Sequence, residues 1–205
     1  MVGKVLSLYC DHEIYKICIC YSLLKVHSFT AAKDSNMKFI KSTQEDINSI
    51  FQLYDKATAY QVEVGILKWQ GFERSMVEKT IEEGLQWQIV IDDEVACVFN
   101  LTLSDPLIWE EKNEDPAIYI HRIATNPKFR GQHFVKHIVT WVKQYAVANG
   151  KLYVRMDTGS GNNRLNNYYM SCGFTYLGVV KLKNTVGLPL HYQNGSFSLF
   201  EIKVG

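Results

Sequence analysis

One stretch limits the fold more than any other: residues 117–135, AIYIHRIATNPKFRGQHFV. Ile118, Ile120 and Ile123 supply β-branched apolar residues in a strand-like run. Asn126-Pro127 ends that run, because proline cannot continue a central ladder and restricts the residue before it. A short basic turn follows, Lys128-Phe129-Arg130-Gly131. Phe134, Ile138, Trp141, Val142 and Tyr145 then recur at spacings of three and four, the stripe of an amphipathic helix. The first amides of a helix have no internal partner and carry the positive end of its dipole. Arg130 adds a fixed cation beside them. Strand, basic turn and helix start together make a place where a pyrophosphate would fit.

Around this unit the chain has 205 residues, which favours one domain with a sizeable core. A formal charge of +1 gives no field that would select nucleic acid or an anionic membrane. No basic stripe supports nucleic-acid binding, and no run reaches the roughly 18 apolar residues of a spanning helix. The five cysteines, Cys10, Cys18, Cys20, Cys97 and Cys172, are odd in number and lack paired C-x-x-C spacing. That argues against a disulfide framework and a zinc site and fits a reducing cytoplasm. No metal is expected. The twelve tyrosines and four tryptophans are assigned mainly to core packing.

Residues 1–36 stand apart, apolar but interrupted by Asp11, His12, Glu13, Lys16 and Lys25, and ending in a small, polar stretch. Met37 opens the alternating run Met37-Lys38-Phe39-Ile40-Lys41, so the domain is expected to span 37–205, with 1–36 as an extension. Ser42 or Thr43 caps a helix with the stripe Ile47, Ile50, Phe51 and Tyr54. A loop with Gly65 and Gly71 leads to a second helix over 72–83, closed by Gly84. Residues 87–91 and 95–103, separated by Asp92-Asp93-Glu94, read as a hairpin. Residues 104–116 read as a polar, acidic loop. After the central helix, 152–156 is a strand, 158–163 a Gly/Asn turn, and 164–172 a short helix. Strands over 174–180 and 197–204 finish the chain, joined by a loop with Gly187, Pro189 and Asn194-Gly195. The order β-α-α-β-β-β-α-β-α-β-β means an α+β fold, a mixed and mostly antiparallel sheet flanked by helices, with one parallel crossover.

Two signatures in this order resemble the GNAT superfamily of acetyl-CoA-dependent N-acetyltransferases. Asn126-Pro127-Lys128-Phe129-Arg130-Gly131 resembles the family's x-P-x-x-R-G lead into its cofactor helix. Asn162-x-x-Leu165-x-x-Tyr168-Tyr169-x-x-x-Gly173-Phe174 resembles its N-x-x-A-x-x-F-Y-x-x-x-G-F motif. The likeness covers about 37–205 by element order and is specific from the central strand onward. It departs in one place: His133 and Val135 stand where the family's phosphate loop carries small residues. Backbone donors survive that change, while their side chains could crowd the ligand and alter its affinity.

The resemblance implies acetyl-CoA as cosubstrate. Ile123, Ala124 and Thr125 would bond the pantetheine arm through their backbone as if it were an added strand. Arg130, Gly131, Gln132, His133, Phe134 and Val135 would hold the pyrophosphate. Asn162 would contact the cofactor, and Tyr169 would stand near the sulfur and protonate the departing thiolate. Tyr168 would pack. Some family members carry a strand glutamate as base, and the corresponding residue here is Tyr119. His121, two residues on and so on the same side, is the candidate base, since an unperturbed imidazole titrates near neutrality. Arg122 is expected on the opposite side, toward Asp157 or solvent.

The expected function is transfer of an acetyl group to a primary amine of a small molecule or peptide. A non-catalytic acyl-CoA-binding or partner-binding module is the alternative, and a dinucleotide oxidoreductase fails for want of G-x-G-x-x-G after a strand. Tyr60, Glu63, Trp69, Trp109 and Glu110 form an aromatic and acidic set expected on the acceptor side. Edge strands near the C-terminus offer a surface through which two copies could pair as a homodimer.

Overall fold

The computed structural model describes residues 36–64, 69–182, 186, 192 and 195–205, all within one unit, Asn36–Gly205. The sequence expectations for 1–35, Gly65, Gly187, Pro189 and Asn194 lie outside the described residues. In chain order the elements are β1 (Lys38–Lys41), α1 (Ile47–Glu63), α2 (Arg74–Glu82), β2 (Gln86–Ile91), β3 (Glu94–Thr102) and the single turn α3 (Pro106–Trp109). They continue with β4 (Ala117–Thr125), α4 (Phe134–Ala148), β5 (Tyr153–Gly159), α5 (Asn163–Ser171), β6 (Thr175–Lys181) and β7 (Ser196–Lys203).

The strands form one seven-stranded sheet in the order β1-β2-β3-β4-β5-β7-β6. Neighbours are antiparallel except β4 and β5, which are parallel and joined through α4. This is the mixed, mostly antiparallel sheet that the element order implies. The β2–β3 hairpin turns on Asp92 and Asp93, both at positive φ (48° and 65°), as a two-residue turn matching strand twist requires. Asp46 accepts from the Thr43 backbone N–H at 2.7 Å, fixing the entry to α1.

One face of the sheet is covered by α4, whose Phe134, Ile138, Val139, Val142 and Ala146 meet Phe99, Leu101, Ile118, Ile120, Val154 and Met156. On the other face α1 and α2 bury Ile47, Ile50, Leu53, Val77 and Ile81 against Val98 and Ala124. Trp141 stacks on Phe39 and Tyr145, with Trp87 tilted against it at 4.5 Å, so these aromatics are core, as the composition suggested. Among the described residues no helix is long and apolar enough to cross a membrane.

Two local expectations are corrected. Residues 104–116 are not an open loop: they hold α3 and a 3-10 turn over Glu110–Glu114. Pro106 starts a helical turn without needing its missing N–H, and that turn buries Ile108 and Trp109 against Tyr119 and Leu199. Likewise Thr158 and Gly159 are not turn residues. They extend β5, because β7 offers Ser198 and Phe197 as ladder partners, and pairing overrides the turn-like composition.

Candidate active site

β4 and β5 pair only from Ala117 opposite Tyr153 to Ile120 opposite Met156. Beyond that point β4 runs on to Thr125 and β5 to Gly159 without pairing to each other. The strands therefore part, and the backbone edge of β4 over 121–125 is left without a strand neighbour on the β5 side. Such an edge accepts an extended ligand as an added strand. Ile123, Ala124 and Thr125, the residues expected to meet a pantetheine arm, lie on it.

The first residues past the split are His121 on β4 and Asp157 on β5. Asp157 Oδ1 is 3.6 Å from His121 Nδ1, and Asp105 Oδ2 is 3.5 Å from His121 Nε2. Asp105 comes from the turn before α3. The Asp157 side chain is 2% exposed, and its Oδ2 accepts from the Tyr192 hydroxyl at 3.2 Å. Asp157 Oδ1 and Asp105 Oδ2 have no hydrogen-bond partner. Burial, with Asp105 as a nearby like charge, pushes the Asp157 carboxyl up to about 7. Burial alone carries Asp105 up to about 6. Burial and the Arg122 charge push His121 down to about 3, so its imidazole stays neutral.

These groups line a cavity of about 340 Å³ that also takes in Tyr169, Ile123, Arg122, Trp69 and Phe72. Tyr169 packs edge-on against Phe200 at 5.3 Å. Burial, with Tyr168 beside it, holds its phenol well above the ordinary tyrosine range, so it keeps its proton.

Arg122 is not on the side opposite His121. Asn100 pairs with His121 and Val98 with Ala124, so Arg122 and Ile123 together oppose the single residue Phe99. This β-bulge puts Arg122 at φ 51° and turns its side chain into the cavity that His121 lines. Asp157, expected near Arg122, faces His121 instead. Arg122 Nε donates to Asn100 Oδ1 at 2.6 Å and Nη2 to Thr80 Oγ1 at 3.1 Å, while Nη1 has no partner.

The cofactor end is built by the turn before α4. No side chain caps that helix, which leaves its first N–H groups open to an anion. Gly131 is at φ 86°, and no atom lies within 4 Å of where a Cβ would stand. His133 takes the left-handed conformation, φ 54°, which a non-glycine residue holds at a cost of about 1–2 kcal/mol. Phe134 is buried, so it offers its backbone alone, and Val135 packs against the core. Gln132 is exposed. Arg130 stacks over the Tyr60 ring at 4.0 Å. Nearby, Asn162 and Tyr168 line a second cavity of about 730 Å³ with Tyr60 and residues 158–161. Asn162 Oδ1 caps α5 by accepting from the Leu165 N–H at 3.0 Å. Tyr168 does more than pack: it lines that cavity and lies against His133, ring to ring at 6.0 Å.

The residues expected at the acceptor side are scattered. Trp69 lines the 340 Å³ cavity and Tyr60 the second one. Trp109 is 2% exposed and packs on Tyr119, while Glu63 and Glu110 are exposed. Tyr119 is fully buried, its hydroxyl facing Arg155, so it does not stand in for a strand base. The acidic groups that do meet in the cavity are Asp105 and Asp157. Their signal in the sequence was faint: one precedes a proline in an acidic stretch, the other follows a strand by one residue.

A strand pair that parts in mid-sheet, an uncapped helix after a basic turn and a proton-holding tyrosine across the gap occur here together. Residues 47–174 match the Acetyltransferase (GNAT) family. The chain belongs to that family. An uncharacterised N-acetyltransferase of Bacillus subtilis, YesJ, is 24% identical over 142 residues, 65% of this chain and 79% of its own. A GNAT-family acetyltransferase from Listeria monocytogenes shares the fold at a TM-score of 0.67 and 21% identity, covering 82% of this chain and 95% of its own. YncA of Salmonella typhimurium, a putative acetyltransferase solved with acetyl-CoA, does so at 0.59 and 13%, covering 82% and 94%.

Proposed function

We propose that this protein transfers the acetyl group of acetyl-CoA to a primary amine of a small molecule by direct attack. The observation that carries the reading is the split between β4 and β5, which sets an open strand edge beside Tyr169, His121 and Asp157. The residues fit the cosubstrate: an uncapped helix start for a pyrophosphate, an unpaired backbone edge for an extended arm, and a cavity of about 730 Å³ lined by the end of α1, the end of β5 and the start of α5. When bound, acetyl-CoA supplies the thioester carbonyl that the amine attacks.

Arg130 and the backbone of 131–135 bind the phosphates, and 123–125 align the arm. A backbone N–H of β4 at the split donates to the carbonyl oxygen as negative charge develops there. Asp157 takes a proton from the acceptor ammonium, since a carboxyl near 7 is matched to neutral operation. His121 remains neutral between the two carboxyls, its ring nitrogens 3.5 and 3.6 Å from their oxygens. The nitrogen loses two protons in all. One leaves through Asp157 to solvent. The other ends on the thiol, with Tyr169 donating to sulfur and regaining a proton from the nitrogen as the new amide forms.

Calorimetric titration with acetyl-CoA, run in parallel on Tyr169→Phe, is the direct test. Equal binding by both proteins, with kcat for amine acetylation lower in the variant by ~10²–10³-fold, is expected for a general acid. Unchanged kcat would remove Tyr169 from the chemistry. Binding without turnover of any amine would favour a non-catalytic acyl-CoA-binding module, and no binding would overturn the cofactor reading.

A further inference from the structure

Four residues that line the 340 Å³ cavity each carry a buried polar atom without a hydrogen-bond partner: the ionisable Asp105 Oδ2, Asp157 Oδ1 and Arg122 Nη1, and the neutral Thr102 Oγ1. A buried donor or acceptor left unmade costs about 1–3 kcal/mol, and more when charged, so such atoms ask for an explanation. The signs here are mixed. A plain cation would answer the two carboxyls but leave the guanidinium unanswered and repelling. A plain anion would do the reverse. Asp105, His121 and Asp157 have donor atoms within 4.8 Å of one another, a spacing that a metal ion could also use. The Arg122 charge, felt as far as His121, works against a divalent cation more than against any monovalent one.

A ligand that carries both signs answers the three ionisable groups, and the neutral Thr102 hydroxyl is compatible with either sign. Resting on the acetyltransferase reading, we infer that the acceptor is a free amino acid with an apolar side chain. Its ammonium group sits between Asp105 and Asp157, and its carboxylate lies on Arg122. Part of the remaining wall sets the side-chain preference: Trp69, Phe72, Met76 and Ile108 are apolar, beside the polar Gln61, Ser104 and Thr158. A cavity of about 340 Å³ is at the small end for ligand sites, the right scale for one amino acid. The backbone supports this role for Arg122. Its positive φ and the bulge around it are local strain, of order 1–3 kcal/mol, spent to aim one side chain into the cavity. Nε and Nη2, fixed on Asn100 and Thr80, leave Nη1 pre-set for a carboxylate oxygen.

The test pairs each amino acid with the same molecule lacking its carboxylate: phenylalanine with phenethylamine, leucine with isopentylamine, methionine with 3-methylthiopropylamine. Acetylation kinetics are measured on the unmodified protein and on Arg122→Gln. The amino acids should show KM values lower by ~10–100-fold than their partners, the scale of one charge-assisted hydrogen bond. Arg122→Gln should raise KM for the amino acids by that factor and leave the plain amines within about threefold. Equal KM across the pairs on the unmodified protein would overturn the inference while leaving the acetyltransferase reading intact. So would an equal loss on both classes in the variant. If acetyl-CoA binds and no amine of either class is acetylated, both readings fall. Should the variant not fold, the paired comparison on the unmodified protein decides alone.

Discussion

Arg155 of β5 and Arg122 of β4 both come from the middle of the sheet, yet their surroundings differ. The Arg155 side chain has no exposed surface, and each guanidinium nitrogen has a protein partner. Nε donates to Glu201 Oε2 at 2.7 Å, Nη1 to the Lys112 carbonyl and to the Tyr119 hydroxyl, and Nη2 to Asp115 Oδ2. Trp109 and Tyr153 flank it, each with its ring centroid 4.9 Å from the guanidinium carbon. Arg122 bonds through two nitrogens and keeps the third unmet at a cavity wall. A fully answered charge holds structure together: Arg155 clamps the 3-10 turn and the stretch after it onto β5. A partly answered one is set up for something outside the chain.

The largest effect should come from breaking the answered side. Arg155→Met strands Glu201 and Asp115 and releases the segment that holds α3, so unfolding in urea should lose about 3–5 kcal/mol. A loss under 1 kcal/mol would mean that this cluster is no more structural than the Arg122 side, and the contrast would collapse.

Next in size is Asp157, the buried carboxyl on the open side. Its pKa is raised in the folded protein to about 7 from an ordinary value of 3.8. Below 3.8 the group is protonated in both states and favours folding fully. As pH rises through about 7 that advantage is lost, because ionisation is easier in the unfolded chain. Asp157→Asn should therefore gain on the wild type between pH 4 and 7, by up to about 4 kcal/mol at pH 8 if the neutral amide packs alike. The same variant should lose the ascending limb near pH 7 from the kcat/KM profile. A stability difference that does not change with pH would show that the carboxyl is already answered, as Arg155 is.

Much of this contrast was beyond the reach of the sequence. The strand, basic turn and helix of 117–148 were legible, because proline, glycine and a helical stripe each act locally. A spaced motif likewise singled out Tyr169, which lines the 340 Å³ cavity. The bulge was not legible. Ile118, Ile120 and Ile123 are spaced two and then three apart, and all three meet the α4 side of the sheet only because an extra residue intervenes. Strict alternation misplaced Arg122 for that reason. The acidic pair was hidden as well: Asp105 and Asp157 are 52 positions apart and meet through α3, whose burial depends on the Arg155 clamp. His121 lines the cavity, but its ordinary pKa does not carry over to the folded chain: burial and the Arg122 charge lower it to about 3, while burial raises Asp157 to about 7.

The smallest expected effect sharpens the comparison most. Arg122→Gln keeps an amide that can still donate to Asn100, and loses the bond to Thr80 and the charge over Phe72. Two modest hydrogen bonds at risk, one of them recoverable, amount to about 1–2 kcal/mol in urea unfolding. Nη1, buried and unbonded, is a cost to the unliganded protein, so its removal should offset part of that loss. Addition of a bound amino acid should change that ranking. Ligand that binds only the folded state stabilises by RT ln(1 + [L]/Kd), and the variant, binding more weakly, should gain less at equal concentration. Thermal unfolding of both proteins with and without phenylalanine, in the presence of coenzyme A, reads this difference directly. A loss for Arg122→Gln as large as that for Arg155→Met, and unaffected by phenylalanine, would place Arg122 with the structural charges after all.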